Sequence, residues 1–214
     1  MTEFILTILG VIWVIHLQGE YRGNKKTKFI TKPLLIPIIA LYVIMARGYA
    51  NNHLLLAALF CGFAGDIALM WESKRKFFKI GLISFLIGHI IYIYLSLKII
   101  TDINVSKQNG LLLLVLIVIG AVSFLTIRKK LSTLSPLVIA YISTILILLF
   151  ISINIYQNGT FTHRTELLAG TVLFAISDSL LAQWVFNKNI PKAPVLIMAT
   201  YVPAQLLIIL SLIN

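Results

Sequence analysis

The chain has 214 residues, of which 59% are hydrophobic and only 12% charged, with a mean hydropathy of +0.98 and a formal net charge of +11. That balance excludes an ordinary soluble domain and points to a protein that lives in the lipid bilayer, with no room for a separate soluble part. The basic residues cluster between apolar runs, where they mark membrane topology, so nucleic acid is not an expected partner.

A hydrocarbon core of about 30 Å calls for about 20 apolar helical residues per crossing. Eight such segments are predicted, at 3–18, 33–47, 53–71, 79–98, 110–127, 135–156, 165–186 and 194–213. Backbone in lipid must satisfy its own hydrogen bonds, so each is read as a helix. The expected fold class is an all-α bundle of eight transmembrane helices, a single domain over residues 1–214.

The first segment, FILTILGVIWVIHL, has no basic stretch before it and no evident cleavage site, and reads as a retained span with His16 interfacial near its end. After the cluster GEYRGNKKTK, Lys32-Pro33 opens the second. The third, LLLAALFCGFAGDIALMW, holds Asp66 and the single cysteine, Cys61, which excludes an internal disulfide and a cysteine-based metal site. FLIGHIIYIY places His89 in the fourth, and the fifth ends at the basic run RKKLST. The sixth runs from Pro136 through Tyr141, the seventh carries Asp178 in FAISDSLLA, and the eighth carries Tyr201 and Gln205 in TYVPAQLLI.

Fourteen of the eighteen Lys and Arg residues, Lys74 and Lys188 among them, fall in the connections after the odd-numbered spans. By the positive-inside rule both termini lie outside the cytoplasm, and with no organellar signal visible a bacterial inner (plasma) membrane is the expected location. In this orientation Asp66 lies about 8 Å and Asp178 about 12 Å from the cytoplasmic ends of their helices. Lys32 is at the cytoplasmic mouth, with Tyr141 and Tyr201 about 9 to 11 Å in and His89 about 15 Å in. Residues far apart in sequence thus share one layer of the membrane.

A carboxylate at bilayer depth costs several kcal/mol, so such acids are rare and face a protein interior or a water-filled cavity. Two of them in one low-dielectric cavity hold at least one proton between them, which suits general acid and base catalysis. The plainer reading is that each acid bonds a neighbouring Tyr, Ser or Lys to join helices, and that Lys32 snorkels to the interface. A hydrolytic zinc needs three protein ligands where only His89 is deep, and neither a metal nor another cofactor is expected. Ser84, Ser177 and Ser179 lack the G-x-S-x-G elbow, and GFAGD lacks the G-x-G-D spacing of intramembrane aspartyl proteases. A proton- or cation-coupled carrier would also place acids mid-membrane, although two halves of four spans each would be parallel rather than inverted.

Lys32-Pro33, GFAGDIALM, FLIGHIIY, the stretch from Pro136 to Tyr141, FAISDSLLA and TYVPAQLLI together resemble the YhhN family, which includes the animal lysoplasmalogenases. The resemblance covers nearly the whole chain, and its specific part is the two aspartate motifs. It implies an integral membrane hydrolase that cleaves the vinyl ether bond of lysoplasmalogen, releasing a fatty aldehyde and glycerophosphoethanolamine or glycerophosphocholine. Its partners would be a lysophospholipid substrate and the lipid bilayer. Carried onto this sequence it implies catalytic roles for Asp66 and Asp178 and substrate-binding roles for Lys32, His89, Tyr141, Tyr201 and Gln205. The chain of the substrate would enter between helices near Pro37 and Pro203.

Overall fold

A computed structural model of the protein describes residues 1–71, 75–100, 107–187 and 190–213; Lys74 and Lys188, counted above for orientation, lie outside the described residues. Among the described residues there are eight α-helices and no strands: α1 (Thr2–Tyr21), α2 (Lys25–Arg47), α3 (His53–Leu69), α4 (Arg75–Leu97), α5 (Lys107–Leu131), α6 (Ser135–Asn158), α7 (Arg164–Phe186) and α8 (Ala193–Leu212), with one 3-10 turn at Ser132–Leu134. Seven are long and apolar enough to cross a membrane, and α3, with 17 residues, is the short one. The architecture is a polytopic membrane bundle, as the hydropathy predicts.

The largest departure from the predicted boundaries is at α2, which starts at Lys25 and not at Lys32-Pro33. Asn24 caps it, its side-chain oxygen accepting from the amides of Lys26 at 3.1 Å and Thr27 at 3.3 Å. Pro33 and Pro37 therefore sit inside the helix, which a membrane helix tolerates when neighbours support the freed backbone. Two extra turns precede Lys32, so it is an internal helix residue and not a helix-opening one.

Helix packing gives a ring. In order around it, α1 lies on α2, α2 on α3, α3 on α4, α4 on α6, α6 on α7, α7 on α8, and α8 returns to α1. Helix α5 stands outside the ring against α6 and α7. It has the highest mean hydropathy of the spans, 2.8, and turns Leu111, Leu114, Ile117 and Val118 outward. The ring closes through the Trp13 indole of α1, which donates to the carbonyl of Met198 in α8 at 3.0 Å. His16, expected at the interface, is instead fully buried there: Thr31 donates to the Thr27 carbonyl at 2.7 Å, so the His16 Nδ1 hydrogen is directed to the Thr31 oxygen at 2.8 Å.

The α7 to α8 contact is the most extensive in the ring, and Gly170 leaves room there for the backbone of α8. A Cβ at that position would stand 2.9 Å from the Ile208 amide nitrogen and 3.1 Å from the Ala204 carbonyl oxygen, and backbone cannot move aside without parting the helices. Gly170→Ala is expected to destabilise the protein by about 1–3 kcal/mol through overpacking. The check is the thermal unfolding midpoint of the purified variant in detergent, which should fall.

Candidate active site

Helices α1, α2, α3, α7 and α8 bring polar side chains to a cavity of about 550 Å³, and α4 and α6 reach one of them, Asp178, through His89 and Tyr141. The cavity is framed by the C-terminal ends of α1, α3 and α7 and the N-terminal ends of α2 and α8, and Lys25, Lys28 and Lys32 line it beside Glu20, Asp66 and Asp178. Both intramembrane aspartates therefore border one space. Apolar walls, including Phe85, Leu69 and Met198, keep the surroundings of the two acids poor in competing dipoles.

Asp66 is buried at 4% exposure. Its Oδ2 accepts the Tyr201 hydroxyl at 2.9 Å, and its Oδ1 lies 3.6 Å from Lys32 Nζ. Tyr201 in turn is near Gln205, whose amide nitrogen is 3.5 Å from the phenol oxygen, and Gln205 Oε1 accepts the Tyr92 hydroxyl at 2.6 Å. A chain of hydrogen bonds thus runs from α4 through α8 to the acid on α3. Gly62 and Gly65 make room for it: a Cβ on Gly62 would come within 3.3 Å of both the Tyr201 hydroxyl and the Gln205 amide, and one on Gly65 would overlap the Phe85 ring. Phe85 stands edge-on to Tyr201 with ring centroids 5.9 Å apart.

Asp178 has a similar arrangement with different neighbours. Its Oδ2 accepts the Tyr141 hydroxyl at 2.9 Å and lies 3.8 Å from His89 Nε2. The other ring nitrogen of His89 is 2.8 Å from the Phe85 carbonyl. A carbonyl oxygen only accepts, so Nδ1 carries the hydrogen and a neutral ring presents its Nε2 lone pair to Asp178. That nitrogen is buried and has no hydrogen-bond partner among the described residues. The ring is fixed edge-on to Tyr141 at 5.3 Å and to Phe174 at 4.5 Å.

Of the seven residues singled out in the sequence, Lys32, Asp66, Asp178 and Tyr201 line the cavity, while Gln205 contacts Tyr201 and His89 and Tyr141 contact Asp178 behind it. Sequence reasoning missed Tyr92, although it lies three residues after His89 on the same helical face, and Glu20, which pairs with Lys28 at 2.9 Å on the cavity wall. The serines weighed as nucleophiles each donate to a backbone carbonyl: Ser84 to Cys61, Ser177 to Ile197 and Ser179 to Ala175. Among the described residues no group of three or more His, Cys, Asp or Glu side chains is placed to hold a metal ion. Ile36, Ile39, Val202 and Ala204 are buried beside Pro37 and Pro203, and neither proline lines the cavity.

What this arrangement can do chemically is donate a proton from one carboxyl and accept one at the other within a single cavity. Residues 27–212 match the family described as YhhN. The chain is similar to the lysoplasmalogenase TMEM86B of Mus musculus, 31% identical over 181 residues covering 84% of this chain and 72% of the relative. The Sus scrofa lysoplasmalogenase is 30% identical over 213 residues, 97% of this chain and 83% of the relative. The Homo sapiens protein is 30% identical over 169 residues, 78% and 67%. No solved structure matches the chain.

Proposed function

Because the chain belongs to the YhhN family, we propose that this integral membrane protein is a lysoplasmalogenase, cleaving the vinyl ether of a lysoplasmalogen to a fatty aldehyde and glycerophosphoethanolamine or glycerophosphocholine. The observation that carries the reading is the cavity itself: two aspartates, each accepting a tyrosine hydroxyl at 2.9 Å, face one space whose entrance holds Lys25, Lys28 and Lys32. A lysophospholipid has the matching form, with an anionic phosphate at one end and a reactive, apolar-flanked bond at the other. The cavity would open to the cytoplasm of a bacterial cell, both termini lying on the opposite side of the inner membrane, in keeping with the basic residues around it.

Vinyl ether hydrolysis starts with protonation of the alkene carbon remote from oxygen. Lys32 pairs with Asp66 at 3.6 Å as an ammonium beside a carboxylate, while the side chains in direct contact with Asp178 are the His89 ring and the Tyr141 hydroxyl, so Asp178 is assigned as the proton carrier. The alkene π pair takes the Asp178 proton, and the resulting oxocarbenium ion is stabilised by the nearby Asp66 carboxylate. Water then adds to the cationic carbon and gives its proton to Asp66, forming a hemiacetal. In the collapse, Asp66 returns that proton to the departing glycerol oxygen and Asp178 takes the hemiacetal hydroxyl proton. Aldehyde and alcohol leave, one water is consumed, and both acids return to their starting forms.

His89 Nε2, with its lone pair turned toward Asp178, orients the acid. Tyr141 and Tyr201 hold the carboxylates of Asp178 and Asp66, Gln205 fixes Tyr201, which faces the glycerol portion, and Lys32 supplies a point charge for the phosphate as well as for Asp66. The test is product analysis by mass spectrometry after the purified protein meets lysoplasmenylethanolamine or its ester-linked analogue. Aldehyde is expected from the vinyl ether alone. A folded, lipid-binding protein that releases none defeats the proposed substrate, and gradient-driven uptake into proteoliposomes without any lipid product would favour a carrier.

A further inference from the structure

A second cavity, of about 150 Å³, lies between the ring and the helix outside it. Its walls are almost wholly apolar: Leu116 and Gly120 of α5, Ile142 and Leu146 of α6, and Ala175 and Ala182 of α7. Tyr141 and Asp178 supply polar atoms to it, and Ser123, Ser179 and Gln183 also line it. Asp178 thus borders both spaces, the lysine-lined cavity on one side and the apolar slot on the other, whereas Asp66 borders only the first.

Resting on the hydrolase reading above, we propose that the slot enclosed by α4, α5, α6 and α7 is the subsite for the hydrocarbon chain of the substrate, with Asp178 at the boundary between chain and headgroup. The occupant follows from the side chains that the two spaces share, Asp178 and Leu181. Anything lying across both must be polar and anionic on the lysine side, apolar on the slot side, and change character beside Asp178. A lysolipid with a vinyl ether changes character there: the ether oxygen belongs to the glycerol, and the two alkene carbons are the first of the chain. The carbon that must be protonated is on the chain side of that oxygen, and so is the slot relative to Asp178. This placement independently favours Asp178 over Asp66 as the acid.

The slot is small for a long chain. Its volume corresponds to about five groups of ~30 Å³, the share of a water molecule and close to that of a methylene. It therefore holds the carbons next to the reacting bond, and the remainder of the chain continues past α5 into lipid. Selection should act on bulk near the vinyl ether and be indifferent to length beyond the first several carbons.

Two measurements decide this. In the first, Ala182→Leu, which places a larger side chain one turn beyond Asp178 in the slot, is assayed against vinyl ether lysolipids with a 1-propenyl and a 1-hexadecenyl chain. The ratio of kcat/KM for long over short chains is expected to fall at least about tenfold, as several lost methylene contacts would require; an unchanged ratio overturns the subsite. In the second, the wild-type protein is photolabelled with a lysolipid carrying a diazirine within the first six chain carbons, and the modified residues are located by peptide mass spectrometry. Labelling at Leu116, Gly120, Ile142 or Leu146, displaced by unlabelled lysolipid, supports the slot. Labelling confined to outward residues such as Leu111 and Val118 overturns it. The labelling does not depend on turnover or on the variant folding, so a wild type that releases no aldehyde defeats the hydrolase reading while the slot is still decided.

Discussion

Asp178→Asn is expected to lower the rate of vinyl ether cleavage by about 10²- to 10⁴-fold, the usual contribution of a positioned general acid, while the protein stays folded and binds lysolipid. The amide is nearly isosteric with the carboxyl. Its oxygen can accept the Tyr141 hydroxyl that Asp178 Oδ2 accepts at 2.9 Å, and that same position lies 3.8 Å from His89 Nε2. Every packing contact of the site is preserved, and only the transferable proton is gone. Thermal unfolding in detergent, lysolipid binding and aldehyde release, measured on one preparation, separate the two possible roles of the residue. A folded variant with near wild-type turnover would leave Asp178 as a tie between α6 and α7 and remove it from the chemistry.

The aspartates were legible in the sequence because the cost of a carboxylate in lipid makes each one conspicuous. Depth was legible too, since rise per residue converts position in a span to a layer of the membrane, and His89, Tyr141 and Tyr201 do converge with the acids. The pairing within that layer was not. Which tyrosine meets which aspartate depends on the order of helices around the ring, and that order turns on α5 standing outside it, so that α4 packs on α6 and brings His89 to Tyr141 and Asp178. The uniform LLLLVLIVIGAV of α5 is apolar all round, and such a pattern does not distinguish a buried helix from a lipid-facing one. Lys32 was misjudged for a local reason: proline is common in the first turn of a helix, and the Asn24 cap eight residues earlier takes that position instead. His16 was misjudged because burial of a lone histidine depends on a partner, Thr31, that lies on another helix.

The pairing of Lys32 with Asp66 separates stability from turnover more sharply than any single replacement. Lys32→Met removes the cation 3.6 Å from a buried carboxylate and leaves that charge uncompensated. Breaking a buried pair in this way typically costs about 3–5 kcal/mol, and the 17% exposure of the Lys32 side chain to the cavity places this case at the lower end. Adding Asp66→Asn removes the orphaned charge while keeping an acceptor for the Tyr201 hydroxyl, so the double variant should recover much of the lost stability, with a coupling of about 0.5–3 kcal/mol. Turnover should follow a different pattern. Lys32→Met, Asp66→Asn and the double variant should each fall at least about 10²-fold, since the base and cation-stabilising anion is either missing or no longer held as a carboxylate beside the substrate. The check is a double-mutant cycle in thermal stability run beside aldehyde release on the same samples. Additive stability changes would mean that the two charges do not sense one another, and a stable, active double variant would exclude Asp66 as the group that accepts the proton of water.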